Sequence, residues 1–247
     1  MTAAFRACAI VPTLDNPRTV RGVVEGIRNH LPDVIVVDDG SGPEGRDACT
    51  QLAADGLATV HRFDKNRGKG AAVKTGFALA RDRGFTHAFQ IDADGQHDLA
   101  CLPEFLRTAA ARPDALILGC PVYDGTAPTS RLRARKVTHF FVDLEVGRGV
   151  IADAMIGCRV YPVAAALASG TRGDRMEFDV EIAVRMANRG APVVNLPVRV
   201  RYLAEHEGGI SHFRPVRDIV RLSWMHSRVA TALSVRRVLR LLRGGSR

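Results

Sequence analysis

The sequence predicts an α/β fold, a mostly parallel sheet flanked by helices. Val34-Ile35-Val36-Val37 is an unbroken β-branched run, as carried by strands covered on both faces. Val20, Val23, Val24, Ile27 and Leu31 keep the i, i+3, i+4, i+7 spacing of a helix with one buried face. Apolar runs of strand length then alternate with segments of helix length, the pattern of a parallel sheet with crossover helices.

Taken in order, residues 6–12 read as a first buried strand. Asn16-Pro17 opens a helix, with Asn16 at the N-cap and Pro17 at the first helical position. The run at 34–37 is a second strand. Asp38-Asp39-Gly40-Ser41-Gly42 ends it, and a helix follows to about Asp55. A third strand at 58–63 leads into Lys65-Asn66-Arg67-Gly68-Lys69-Gly70 and a helix through Arg83. A fourth, at 85–91, ends in Asp92-Ala93-Asp94-Gly95-Gln96-His97-Asp98. After one more helix comes a strand at 115–119. Beyond it the pattern loosens into a polar loop and a basic amphipathic segment at 131–141. A helix at 173–190 and a strand at 193–202 follow. Ligands of such sheets sit at the carboxyl ends of the strands. Pro12-Thr13, Asp38-Asp39 and the two polar segments at 65–70 and 92–98 all fall there, in one crevice.

Composition narrows the class. A chain of 247 residues, 46% hydrophobic and 25% charged, has the make-up of a soluble globular protein with one large or two small domains. No apolar run has bilayer-spanning length, and residues 2–6 lack the basic start of a signal peptide. Cys8, Cys49, Cys101, Cys120 and Cys158 form no C-x-x-C pair and read as small buried residues of a reducing compartment. A cytoplasmic protein is expected. The net charge of +9 is uneven: residues 210–247 carry nine arginines against Asp218 alone, so the remainder is nearly neutral.

Asp92 and Asp94, one residue apart at a strand end, can face one hard cation. With Gln96 they offer the oxygen ligands of Mg²⁺ or Mn²⁺, ions that keep waters and grip substrate phosphates. The competing reading is a polar turn. His97 and Asp98 read better as caps of the next helix. One of Asp38 and Asp39 fits an Asx-turn. Lys69, between glycines at a helix start, suits an anionic ligand, although the segment lacks a P-loop pattern.

Six segments carry a resemblance. Val11-Pro12-Thr13-Leu14-Asp15 is similar to V/I-P-x-Y-N-E, Val37-Asp38-Asp39-Gly40-Ser41 to V-D-D-G-S, and Asn66-Arg67-Gly68-Lys69-Gly70-Ala71-Ala72 to N-x-G-K-G-x-A. Asp92-Ala93-Asp94 is similar to D-A-D, Asp153-Ala154-Met155-Ile156-Gly157-Cys158-Arg159-Val160-Tyr161 to D-x-x-x-G-F-R-x-Y, and Phe178-Asp179-Val180-Glu181 to F-D-x-E. In this order, over residues 9–213, they resemble the family 2 glycosyltransferases of the GT-A fold, especially the dolichyl- and polyprenyl-phosphate sugar transferases. Three positions depart from the pattern. Leu14 stands for the aromatic, Asp15-Asn16 for Asn-Glu, and Cys120-Pro121 where the lipid-phosphate transferases carry an Arg after G-x.

The resemblance implies metal-dependent, inverting sugar transfer from a nucleotide-diphosphate sugar to a lipid acceptor at the membrane surface, polyprenyl phosphate favoured. Transfer to a hydroxyl of another lipid, or non-catalytic nucleotide-sugar binding, are the alternatives. It implies a divalent cation held mainly by Asp94, with Asp92 and Gln96 supporting. Pro12, Leu14, Asp15, Asp39, Lys69, Asp92 and Ala93 would meet the donor. Arg131, Arg135, Arg159 and Arg201 would meet the acceptor, Arg159 by anchoring the loop before it. Asp179, Glu181 and Asp153 form the implied catalytic set. Asp179 is either the base that takes an alcohol proton or a surface acid paired with Arg175 or Arg185. Residues 208–212 resemble a loop that closes over the donor. The glycosyltransferase domain is expected at 1–213, its donor half about 1–119 and its acceptor half about 120–213.

Residues 214–247 are expected as a basic amphipathic helical segment. Arg236, Arg240, Arg243 and Arg247 share one side, beside a stripe of Val235, Val238, Leu239 and Leu242. That pairing suits an anionic membrane surface, here the inner face of the cell membrane. A helix packed on the core is the alternative. Nucleic acid is not expected as a partner, because no aromatics are interleaved for base stacking.

Overall fold

The computed structural model of the chain describes residues 4–123, 129–201 and 215–244, without the side chains of 129–134, 215, 216, 233 and 235–244. Seven strands form one sheet: β1 (Ala7–Thr13), β2 (Val34–Asp38), β3 (Thr59–Arg62), β4 (His87–Gln90), β5 (Leu116–Tyr123), β6 (Arg159–Pro162) and β7 (Val193–Val200), in the order β3-β2-β1-β4-β6-β5-β7. β1 runs parallel to β2 and β4, β2 to β3, and β5 to β7. β6 alone is antiparallel, wedged between β4 and β5. The described helices are α1 (Val20–Arg28), α2 (Pro43–Ala54), α3 (Lys69–Asp82), α4 (Leu102–Ala111), α5 (Thr129–Val146), α6 (Val163–Ala168), α7 (Phe178–Asn188) and α8 (Pro215–Gly244).

The mostly parallel sheet is as expected, with three differences of detail. β6 was not foreseen: its four residues lie inside a motif-like segment and are too few for a visible alternation. α1 begins at Val20, because Asn16 turns the chain first. Its carbonyl accepts from the Thr19 and Val20 N–H groups at 3.3 and 3.1 Å, and its side chain donates to the Leu14 carbonyl at 2.9 Å, so it caps nothing. α7 is shorter than 173–190, since residues 173–177 are held as a loop by contacts described below.

Strand alternation sorts the core into two layers. On one face Cys8, Ile10, Ile35 and Val37 meet Val73 and Phe77 of α3 and Val180 of α7. On the other Ala9, Val11, Val34 and Val36 meet Val23, Val24 and Ile27 of α1 and Phe105 of α4. In-register pairing of Thr13 with Asp38 and of Ile10 with Gln90 brings three strand ends to one edge of the sheet.

α3 lies close against β1 because position 76 is glycine. A Cβ there would stand 2.5 Å from Ile10 Cγ2. Overpacking of this kind costs about 1–3 kcal/mol, more than the ~1 kcal/mol that alanine gains over glycine in a helix. Gly76→Ala should therefore lower the urea midpoint with an unchanged slope. A raised midpoint would show that α3 can move off the sheet at little cost.

Candidate active site

Asp38 and Asp39 end β2 and, as neighbours in a strand, point to opposite sides. Asp38 takes the turn role: its Oδ1 accepts from Ser41 N–H at 2.9 Å, and its Oδ2 pairs with Arg62. Asp39 reaches across to the next loop. Its Oδ1 accepts from the N–H groups of Arg67 and Gly68 at 2.7 and 3.0 Å, and its Oδ2 from Gly68 at 2.9 Å. Burial raises the Asp39 pKa, and those two backbone donors oppose the rise. The loop can bend this way because Gly68 has φ +109° and its missing Cβ would lie 2.3 Å from the Asp174 carbonyl.

That bend delivers Lys69, the first residue of α3, between two acids. Its Nζ lies 2.7 Å from Asp92 Oδ1 and 2.7 Å from Asp179 Oδ2. Burial works to lower the Lys69 pKa, and the charges of Asp179 and Asp92 outweigh it, so the ammonium is held charged. Asp92 is the lowered member of its pair with Asp94: burial opposes its ionisation, but Lys69 and His97 prevail. Asp94 is pushed up by burial and by the Asp92 charge, with His97 and the Gln96 N–H against the rise. The D-x-x-x-G segment backs directly onto this point, since a Cβ on Gly157 would stand 2.1 Å from Asp92 Oδ2.

Asp94 Oδ1 accepts from Gln96 N–H at 3.0 Å. Asp98 caps the short 3₁₀ turn at Leu99–Cys101, accepting from Ala100 N–H at 2.9 Å, as its capping reading expects. Residues 96–98 pair with the end of β7: Arg201 N–H donates to the Gln96 carbonyl at 3.0 Å, and Asp98 N–H to the Arg199 carbonyl at 3.1 Å. A cavity of about 420 Å³ opens there, lined by Gly95–Asp98, Val122, Tyr123 and Arg199–Arg201.

These residues fit a divalent cation. Asp92 Oδ1 is buried and receives no aligned hydrogen bond, although Lys69 Nζ is near, and Asp94 is crowded by its neighbour's charge. Among the described residues no three His, Cys, Asp or Glu side chains form a closed cage. Mg²⁺ and Mn²⁺ need none, because one or two carboxylates and the substrate phosphates suffice.

Residues 8–166 match the family model described as glycosyl transferase family 2. The chain belongs to glycosyl transferase family 2. It is similar to the polyprenol monophosphomannose synthase of Mycolicibacterium smegmatis, at 30% identity over 83% of this chain and 80% of that protein. It is also similar to the undecaprenyl-phosphate mannosyltransferase of Micrococcus luteus, at 29% identity over 78% of this chain and 83% of that one. Its fold is that of the glucosyl-3-phosphoglycerate synthase of Mycobacterium tuberculosis solved with Mn²⁺ and UDP-glucose. That match has a TM-score of 0.67 at 16% identity, over 94% of this chain and 79% of that one.

In this family 2 enzyme the remaining site residues fall into three groups. Around the end of β1, Pro12 is buried and Leu14 is half-buried. Asp15 is exposed at φ 52°, with its N–H on Ser41 Oγ at 2.9 Å and its Oδ1 accepting from Gly42 N–H at 2.8 Å. The Ala93 carbonyl accepts from Thr19 Oγ1 at 2.6 Å. Arg131 and the 208–212 loop lie outside the described side chains.

Arg159, Glu181 and Asp153 are engaged with neighbouring parts of the chain. Arg159 is fully buried and donates to the carbonyls of Ile156, Ala154 and Asp179 at 2.6, 2.7 and 2.5 Å, so it anchors this stretch of chain. Glu181 is buried under Gly173 N–H at 2.7 Å and Arg185 Nε at 2.7 Å, which fixes the loop before α7. Asp153 Oδ1 accepts from the N–H groups of Met155 and Ile156 at 2.7 and 2.8 Å, and its Oδ2 pairs with Arg135. Arg135 is thereby turned inward. Asp179 joins neither Arg175 nor Arg185, which bond to Asn66 and Glu181.

Sequence reasoning missed Gln90. It is fully buried, donates to Asp179 Oδ1 at 3.0 Å and accepts from the Tyr161 hydroxyl at 3.1 Å. The signal was there, because a Gln inside an apolar strand must find partners.

Asp153 makes a prediction about pH. Burial would raise its pKa, but His139, Arg135 and the Met155 N–H overcome burial and hold it at about 2. An unfolded Asp titrates near 3.9, so this lowering contributes about 2 kcal/mol above that pH and is lost as pH falls toward 2. Asp153→Asn should cost about that much at neutral pH, and its gap from the parent should narrow on acidification. A gap that stays constant with pH would assign the loss to packing alone.

Proposed function

We propose that this glycosyltransferase moves a sugar, with inversion, from a nucleotide-diphosphate donor to the phosphate of a polyprenyl phosphate. The reaction would run at the anionic inner face of the cell membrane with Mg²⁺ or Mn²⁺. The observation that carries the acceptor choice is the ion pair of Asp179 with Lys69. A carboxylate neutralised by an ammonium at 2.7 Å, and bonded to Gln90 as well, is poorly placed to take a proton from an alcohol. A phosphate acceptor is already ionised and asks for no base. The names of the two mannosyl-transferring relatives support the same choice.

In this reading the donor half is residues 1–119 and the acceptor half 120–213. The nucleoside lies along Pro12, Leu14, Asp15 and Asp39, with Asp39 also keeping the 65–70 loop against β2. Asp94 holds the cation, helped by Asp92 and Gln96. A divalent ion there supplies Lewis-acid stabilisation of the charge that builds on the departing diphosphate. Lys69 adds a fixed positive charge at the N-terminus of α3, where the helix dipole has the same sign. Arg201, brought beside Gln96 just past the end of β7, would meet the acceptor phosphate.

A panel of labelled UDP- and GDP-sugars with Mn²⁺, offered to polyprenyl phosphate and to the matching polyprenol, tests the acceptor. Label should enter the phosphate lipid and not the alcohol. Transfer to the alcohol alone would overturn the phosphate reading.

Asp94→Asn keeps volume and removes charge. It should abolish the Mn²⁺-dependent part of donor affinity in calorimetry and lower turnover by about 10²-fold or more, with the melting curve unchanged. Undiminished metal-dependent binding would take the ligand role away from Asp94.

A further inference from the structure

α5 and α8 pack side by side with their apolar residues on the wrong side for a core. The inner faces are complete: Thr138, Val142 and Glu145 of α5, and Leu222, Met225 and Val229 of α8, are all buried. His226 of α8 closes the seam, bonded to Glu145 at 2.9 Å and stacked on the Phe141 ring at 5.1 Å. Yet Val137, Phe140 and Leu144 lie on the back of α5, and Val220 and Trp224 on the back of α8. Phe141 stands on the α8 side of α5. Ile219 lies seven residues before His226 and hence on the same face of α8. All seven side chains are between 41 and 66% exposed. Seven exposed apolar side chains thus sit on two neighbouring helices, with exposed Ser223 and Ser227 among them. Isolated exposed apolar residues are ordinary, but so many on one helix pair mark an interaction surface.

Charge selects the partner. α8 carries seven arginines against one acid, and α5 four basic residues against two acids. Of these bases, Arg135, Arg221 and Arg228 are engaged with Asp153, Asp218 and Glu181. Every acid of the two helices is drawn off the outer surface. Glu145 and Asp218 are buried, and half-buried Asp143 accepts from Gly149 N–H at 3.1 Å. Lys136 and Arg217 remain exposed at the margin. A second copy of the chain would bring like charges together across such a face, whereas anionic lipid neutralises them.

We propose that the outer face of the α5–α8 pair is the membrane-docking plane of the enzyme. Phe140, Leu144, Val220 and Trp224 would enter the boundary between headgroups and acyl chains. The proposal rests on the lipid-acceptor reading for the site's need of a membrane. It moves the contact from the far end of the tail, where Val235, Val238, Leu239 and Leu242 were expected to make it, to residues beside the catalytic domain. Those tail side chains lie outside the described residues.

Trp224 is the only tryptophan of the chain, so its emission reports on this face directly. In the full-length protein, phosphatidylglycerol vesicles should shift that emission to the blue, and bromine-labelled acyl chains should quench it. Phosphatidylcholine vesicles should do much less. The double variant Phe140→Glu, Leu144→Glu should bind the anionic vesicles roughly tenfold more weakly or worse, with an unchanged melting curve and unchanged donor hydrolysis. Protein that binds the vesicles with Trp224 neither shifted nor quenched would overturn the proposal, as would a folded double variant that binds like the parent. A dimer that the double variant splits, with no emission change on vesicles, would assign the face to a second copy and also overturn it. These readings use neither donor nor metal. Protein that docks as described but transfers no sugar would count against the proposed reaction and leave the docking plane standing.

Discussion

One ammonium group holds the centre of this molecule together. Lys69 carries the start of α3, Asp92 the end of β4 and Asp179 the start of α7, and the three meet within 2.7 Å contacts. Burial works against a charged Asp92, and the lysine beside it is the first of the groups that hold its pKa down. Everything around the lysine is arranged to bring it there. Asp39 pulls in the preceding loop, Gly68 turns it, and Gly70 lets it pass Phe178, whose Cβ would lie 2.5 Å from any side chain at that position.

The other buried acids do a different job. Asp38, Asp39, Asp153 and Glu181 each accept from backbone N–H groups of a loop that no helix or strand would otherwise satisfy. Buried polar backbone needs partners, and a carboxylate can serve two or three at once. The family-like motifs are therefore as much instructions for folding loops as for chemistry. Asp94 stands apart, with one backbone donor on Oδ1 and the Asp92 charge close by.

The fold was largely legible because its signals are local. The β-branched run of β2, the periodic apolar face of α1 and the polar segments after four strands report on their own surroundings. β6 was not, because Arg-Val-Tyr-Pro is too short to show a period and its pairing with β4 and β5 is decided far along the chain. Within the candidate site, the motifs marked loops that meet at one edge of the sheet but could not say which way a side chain turns. Arg135 read as a phosphate binder and Arg159 as a loop anchor; in the fold Arg135 pairs with the Asp153 carboxylate, and the carbonyls of Ala154, Ile156 and Asp179 hold Arg159. Gln90 went unread because it sits in no motif, although a buried amide in a strand is a physical oddity in any sequence.

The position of β6 bears on how this protein can be divided and rebuilt. Read along the sequence, a seam falls near residue 119, after the strands that end at the crevice. Spatially no such seam exists. β6, from beyond it, pairs along the whole of β4 and delivers Gly157 against Asp92, while α7 supplies the second acid for Lys69. A fragment ending at 119 would leave β4 with an open edge, Phe89 without Val160 beside it, and a lysine with half its counter-charge. Recombination between relatives at that point would join halves whose backbones were never fitted to each other. Acceptor preference should therefore change by substitution within an intact sheet, not by exchange of modules.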